Sequence, residues 1–339
     1  MKVAVRADAS SRIGTGHVAR CLALADALAQ RGAEVHFLMR PAAGGMEDAV
    51  RSSGHRVLHL AQDDELAASA ALLGNIGRVD WLVVDHYALD ASWEAALHPA
   101  VGQLLAIDDL GREHACDLLL DANLRDPHDH PYLGCLPAAC TALLGPEFAL
   151  LRREFAPLAA ATAPRSTLRR ILVSFGGADP GGATELAVAA LASLEPGRHA
   201  SDVICGAGNP RYAAIARLCA AIEGCRCLRH SDDLAAMMAA ADLGLGGAGV
   251  SALERLALRL PALIVTLADN QNANAREIDR RGAARWLGAL GDVGAADIAA
   301  AIAALAAAPA ALAAMSQRAG GIVDGCGAQR VAQRMLEWA

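Results

Sequence analysis

The chain has 339 residues, 54% of them hydrophobic, which is enough apolar material for two domain cores. Its 30 basic and 37 acidic residues give a formal charge of −7 with no long basic run, so no nucleic-acid partner is expected. No stretch reads as a membrane span (296–314, the longest candidate, is broken by Asp297 and Pro309) and the first residues do not read as a signal peptide; nine scattered cysteines without a CxxC fit reduced thiols, so a cytoplasmic monomer is expected.

Residues 2–5 predict a buried parallel strand and 18–31 a helix. Between them runs Ile13-Gly-Thr-Gly-His17, a glycine turn into a helix N-terminus. Gly14 and Gly16 permit tight backbone geometry, and the helix's free N–H groups suit an anion. His17 then stands at the carboxyl edge of a sheet, where open α/β folds bind ligands. Strand patterns follow at 34–39, 56–60, 81–84, 104–107 and 117–120, with helices at 45–52 and 66–73. Asp85-His86-Tyr87, Asp108-Asp109 and Asp121-Ala-Asn123 each end an apolar run, although any single Asp there also suits a turn or cap. His128-Asp-His130 reads as loop chemistry, and Cys225-Arg-Cys227 lacks a second ligand pair of zinc-like spacing.

Residues 158–167 read as a linker, after which strand–helix alternation resumes. Strands are expected at 170–175, 202–205, 243–245 and 262–265, and helices at 184–194, 233–241 and 250–258. Gly176-Gly177 and Gly206-Ala-Gly208 follow two of these strands, and Asp269-Asn270-Gln271 another. Gly246-Gly-Ala-Gly249 opens a helix through Val250 and Ser251, which can hold a diphosphate on backbone N–H groups without a metal. Glu254, one turn in, is placed either for ribose hydroxyls or simply for the helix dipole. The loop is neither a Walker A nor an opening GxGxxG, and no Asp-x-Asp occurs. The architecture expected is α/β: two Rossmann-like doubly wound domains, 1–160 and 161–339, facing a cleft.

Asp8-Ala-Ser10, Ile13 to His17 and Arg20-Cys-Leu22 resemble the opening signature of the PseG/SpsG family. The resemblance continues through Asp85-His-Tyr87, Ile107-Asp-Asp109, Val173 to Pro180, Glu254-Arg255 and Ala268-Asp-Asn-Gln271, covering roughly 1–275 in order. It implies a GT-B fold and metal-independent hydrolysis of a UDP-linked 2,4-diacetamido-2,4,6-trideoxy sugar in pseudaminic acid biosynthesis, with no cofactor. On that analogy His17 is the catalytic or water-positioning residue. Asp8, Gly14, Gly16 and Arg20 join it, and Asp85, His86 and Tyr87 lie near the sugar. Glu254 would hold the ribose and Gly249, Val250 and Ser251 the diphosphate; Gly176, Gly177, Asn270 and Gln271 would complete the substrate site. The last helix would pack back on the N-terminal domain. Leu253 departs from the pattern, since many relatives carry an aromatic residue there.

The chemistry asks for little. Glycine-lined helix N-termini can meet the charge of departing UDP, and a neutral histidine can take a proton from water. Attack opposite UDP inverts the anomeric carbon, with no second carboxylic acid required. Two rivals share the pattern: a MurG-like inverting UDP-sugar glycosyltransferase, and a non-catalytic nucleotide-sugar binding protein. Residues 40–46 are the one faint acceptor-groove candidate.

Overall fold

The computed structural model describes residues 1–338 except Ser11, Arg12, Ala43, Gly44, Gln62, Asp63, Pro127, Asp129, Leu133, Ala178, Ala207 and Asp232. The sequence readings that fall on Ser11, Arg12, Ala43, Gly44, Asp129, Ala178 and Ala207 lie outside the described residues. The chain divides into two units, 1–153 with 326–339, and 154–325.

In the first unit the strands are β1 (Lys2–Ala7), β2 (Glu34–Met39), β3 (Arg56–His59), β4 (Val79–Asp85), β5 (Val101–Ile107), β6 (Leu118–Asp121) and β7 (Thr141–Leu144). They form one parallel sheet in the order β3-β2-β1-β4-β5-β6-β7. β1 and β4 are central and covered on both faces, which is why they read as nearly unbroken apolar runs. The strand order reverses between them. Such a switch point leaves a crevice at the strand carboxyl ends. Ala7 stands beside Asp85 in the register, so the loops after β1 and β4 leave the sheet side by side.

The second unit repeats the plan with β8 (Arg170–Ser174), β9 (Ala200–Ile204), β10 (Cys225–Leu228), β11 (Leu243–Gly246), β12 (Ala262–Thr266) and β13 (Arg285–Ala289). Their order is β10-β9-β8-β11-β12-β13, with the switch between β8 and β11 and Ser174 beside Gly246. β7, β10 and β13 gave no strand signal in the sequence. All three are sheet edges on which, Leu143 apart, every side chain is partly buried or exposed, so none presents the buried apolar run of a central strand.

Residues 158–167 are not a free linker. Leu158 to Ala161 complete the helix Phe155–Ala161, whose Phe155 is fully buried. Arg165 is buried too. Its guanidinium donates to the carbonyls of Ala241, Met238, Ala239 and Leu258, gathering the ends of the helices Leu234–Ala240 and Val250–Ala257. Those are the negative ends of two helix dipoles, which favour a cation. Residues 296–314 fall on two helices, Ala295–Ala306 and Pro309–Ala319, bent by 98° at their break. The first buries Ile298, Ile302 and Leu305 in the second unit's core. Among the described residues no single helix is long and apolar enough to cross a membrane.

The C-terminal helix Gly327–Glu337 belongs to the first unit. Ala328, Val331, Ala332 and Met335 recur at helical spacing and share one apolar cluster with Val18, Leu24 and Leu28 of the helix Gly16–Ala29. Trp81 Nε1 donates to the Met335 carbonyl at 3.1 Å. A Cβ at Gly327 would collide with Ala149, so only glycine permits this approach. The C-terminus thereby braces the helix that carries His17 in its first turn. Met335→Ala should lower the first unit's stability by about 2–4 kcal/mol, the usual cost of emptying a buried methionine site, read by denaturant unfolding.

Candidate active site

The first unit's site is built where β1 and β4 end. Gly14 has φ +81°, and Ser10 and Gly14 exchange backbone hydrogen bonds. The helix Gly16–Ala29 follows, carrying His17 and Arg20 one turn apart on one face. Both reach Asp85 at the end of β4. His17 Nδ1 lies 2.6 Å from Asp85 Oδ1, and Arg20 donates from Nε to Oδ2 at 2.6 Å and from Nη2 to Oδ1 at 2.7 Å. Asp85 is fully buried. Burial pushes its carboxyl up, but Arg20 and His17 outweigh burial and hold it well below the usual carboxylate range.

An ionised carboxylate has only acceptors to offer. In a neutral ring this contact favours the His17 proton on Nδ1, where Arg20 Nη2 also lies at 3.4 Å, and leaves Nε2 a lone pair with no protein partner among the described residues. The Tyr87 ring stands edge-on to the imidazole, centroids 4.6 Å apart, and its hydroxyl donates to Asp109 at 2.8 Å. Asp85 lies beneath His17, with both oxygens occupied.

His86 is arranged differently. Its Nδ1 accepts from Ala88 N–H at 3.2 Å, and Nε2 lies 3.3 Å from Asp8 Oδ2. Its lone pair is spent, so it braces rather than acts as a base. Asp8 also accepts from the Arg40 N–H at 2.8 Å and from Arg6 Nη2 at 2.7 Å. Arg6, fully buried on β1, and Arg40 both grip Glu65. The sequence reading missed Arg6 and Glu65. The available signal was a lone arginine inside a central apolar strand.

A second layer fixes the loop after β4. Arg112 donates to the carbonyls of Tyr87 at 2.7 Å and Leu89 at 3.0 Å, and grips Asp108 Oδ1 through Nε and Nη2. Tyr132 donates to Asp108 Oδ2 at 2.5 Å. His114 sits between Glu94, 2.8 Å from Nδ1, and Asp108, 3.5 Å from Nε2. Burial alone would lower its pKa, but Asp108 and Glu94 overcome this and raise it to about 9.

In the second unit two glycine loops leave β8 and β11 side by side, and they differ. After Gly176-Gly177, Asp179 adopts φ +43° and accepts from the amides of Ala183 at 2.9 Å and Thr184 at 2.8 Å. A carboxylate thus already fills the N-terminus of the helix Ala183–Ala192. Gly177's carbonyl accepts from Gly208 N–H at 3.1 Å. By contrast, the helix Val250–Ala257 starts at Gly249, which has no side chain to cap it, leaving the amides of Val250 and Ser251 without a side-chain acceptor. Glu254 lies partly buried one turn further on. Gln271 holds the loop: its Oε1 accepts from Ala248 N–H and Leu267 N–H, each at 3.1 Å. Asn270 begins the helix Asn270–Arg280. His130 is buried against Tyr132, and the described residues contain no group of three or more His, Cys, Asp or Glu arranged to hold a metal ion.

Comparison with known proteins first identifies the fold. The chain matches MurG of Acinetobacter baumannii over 99% of both chains, with a TM-score of 0.70 and 18% identity. It matches the glycosyltransferase VinC, solved in complex with DTDP, over 100% of this chain and 99% of that one, with a TM-score of 0.64 and 14% identity. These likenesses define a GT-B fold. Residues 194–334 match the Glycosyltransferase family 28 C-terminal domain.

Two curated relatives are more specific. The UDP-2,4-diacetamido-2,4,6-trideoxy-beta-L-altropyranose hydrolase of Campylobacter jejuni is 29% identical over 164 residues, 46% of this chain and 53% of the relative. The spore coat polysaccharide biosynthesis protein SpsG of Bacillus subtilis is 26% identical over 153 residues, 44% of each. The matches thus span about half the length of these relatives, and the similarity is distant.

The His114 cluster yields a pH test. A histidine whose folded pKa is raised from 6.5 to about 9 contributes stability that is complete below 6.5 and lost as pH rises through about 9. The difference in melting temperature between the native chain and His114→Gln should therefore shrink across that window. A difference that stays constant from pH 6 to 10 would show that His114 carries no linked proton.

Proposed function

We propose that this chain hydrolyses a UDP-linked 2,4-diacetamido-2,4,6-trideoxy sugar, releasing UDP and the free sugar with inversion at the anomeric carbon. The observation that carries the reading is the His17–Asp85 contact of 2.6 Å, which fixes the proton on Nδ1 and reserves Nε2 for a proton from water. Asp85 stays ionised under Arg20 and meets the charge that His17 gains during the reaction. The Gly246–Ser251 turn supplies backbone donors for the diphosphate, and Glu254 is the ribose partner. The named activity of the C. jejuni relative and the biosynthetic role of SpsG support this choice of substrate class.

A second reading keeps the fold and replaces water with an acceptor. It is favoured by Ile13, Leu66, Tyr87 and Leu110, large apolar side chains more than a third exposed, each following a strand of the first sheet. One experiment separates the two: UDP release from the diacetamido sugar nucleotide without added acceptor. Hydrolysis predicts multiple turnovers, with His17→Asn slower in kcat by about 10²–10⁴-fold, the ordinary share of a general base. Release only when an acceptor is added would favour the transferase. A His17→Asn protein with normal turnover would remove His17 as the base.

A further inference from the structure

Beneath the open glycine loop of the second unit lies a buried cation. Arg255, on the helix Val250–Ala257, is 3% exposed and runs back under β11 toward the first turn of its own helix. β11 makes room for it. Gly244 and Gly246 share one face of the strand. A Cβ on Gly244 would stand 2.7 Å from Arg255 Cδ, and one on Gly246 2.7 Å from Arg255 Nη1. The Leu-Gly-Leu-Gly pattern of β11 is thus a trough cut for this side chain.

The guanidinium is incompletely matched. Nη2 donates to the Gly247 carbonyl and Nη1 to Ser251 Oγ at 3.3 Å, while Nε, fully buried, has no partner. Among the described residues no carboxylate lies within ion-pair distance of Arg255, whereas buried Arg6 has Asp8 and Glu65. Arg165, also without a tight carboxylate, points at the negative ends of two helices. Arg255 points at the positive end of one, the position least favourable to a cation. Burial draws its pKa down to about 10, with Glu254 opposing.

A positive helix end, uncapped amides and a buried, under-matched guanidinium therefore converge on one turn. We propose that Arg255 is the fixed counter-charge of this anion site, placed so that a diphosphate on the Gly246–Ser251 turn completes its electrostatic environment. It touches no substrate and is a positioning residue. Its N–H to Ser251 Oγ occupies the hydroxyl oxygen and directs the hydroxyl proton outward to a phosphate oxygen, and its hold on Gly247 keeps the loop amides presented. The inference rests on the glycine turn as the diphosphate holder, and is independent of the base and of the sugar.

The test is calorimetry on the full chain with UDP, TDP, uridine and inorganic pyrophosphate. Arg255→Met, which keeps the apolar stem, should weaken UDP and pyrophosphate about 10–100-fold, the scale of one unit charge lost at several ångströms in a protein-like dielectric. Uridine should change by less than about twofold, and Arg255→Lys should keep most of the affinity. Ser251→Ala, which leaves Arg255 in place, should weaken pyrophosphate several-fold. If Arg255→Met does not fold, the Lys and Ser251 variants decide. Unchanged pyrophosphate binding in Arg255→Met overturns the proposal, as does an equal loss for uridine or full affinity in Ser251→Ala. Native protein that binds TDP but not UDP overturns the uridine reading alone, and the Arg255 comparison is then made with TDP. Binding of none of these ligands overturns both.

Discussion

The first unit depends on one buried carboxylate. Asp85 ends a central strand with no exposed surface, a place where a charge survives only with close partners. Arg20 forks onto it, His17 closes on Oδ1 and Cys21 Sγ donates to Oδ2 at 3.5 Å, so four residues from two elements share one arrangement. Removing the arginine would leave a buried charge without its main partner, which costs far more than the pair itself gains. The same contact decides the chemistry: a carboxylate that must accept dictates which imidazole nitrogen keeps its proton.

Around that contact the polar groups are tied down in layers. Arg6, Glu65 and Arg40 fix Asp8, which steadies His86, while Asp108 and Arg112 hold the loop that carries Tyr87. These networks sit at the carboxyl edge of the sheet and are anchored by side chains from strand β1, from the loops that follow the strands and from the helix Glu65–Ile76. Such preorganisation limits the freedom of a base to lose its aim. The second unit reaches the same end with fewer side chains. It relies on backbone donors, glycines that keep the turn bare, and Gln271 bonded to two loop amides.

Much of this was legible in the sequence, for definable reasons. Central strands such as β1 and β4 are apolar on both faces, and both glycine turns follow such strands, so the two α/β units could be read directly. Edge strands could not, because Cys225-Arg-Cys-Leu228 and Arg285-Trp-Leu-Gly-Ala289 are only half-covered. The strongly polar helix Asn270–Arg280 likewise reads as loop when only its first residues are considered. Asp85, His86 and Tyr87 were recognisable as a group, yet their division of labour was not. Whether a carboxylate faces substrate or a histidine depends on a contact 68 residues away in sequence. Arg255 was visible only as half of a Glu-Arg pair; the alternate glycines of β11 that accommodate it gain meaning once strand and helix are packed.

The central claim is that Asp85 holds the proton of neutral His17 on Nδ1 and leaves Nε2 bare. Long-range ¹H–¹⁵N NMR of histidine-labelled protein, assigned by comparison with His17→Asn, reports this tautomer directly. The account predicts a protonated Nδ1 and an unprotonated Nε2 in the neutral ring. A proton on Nε2, with Nδ1 bare against Asp85, would contradict it.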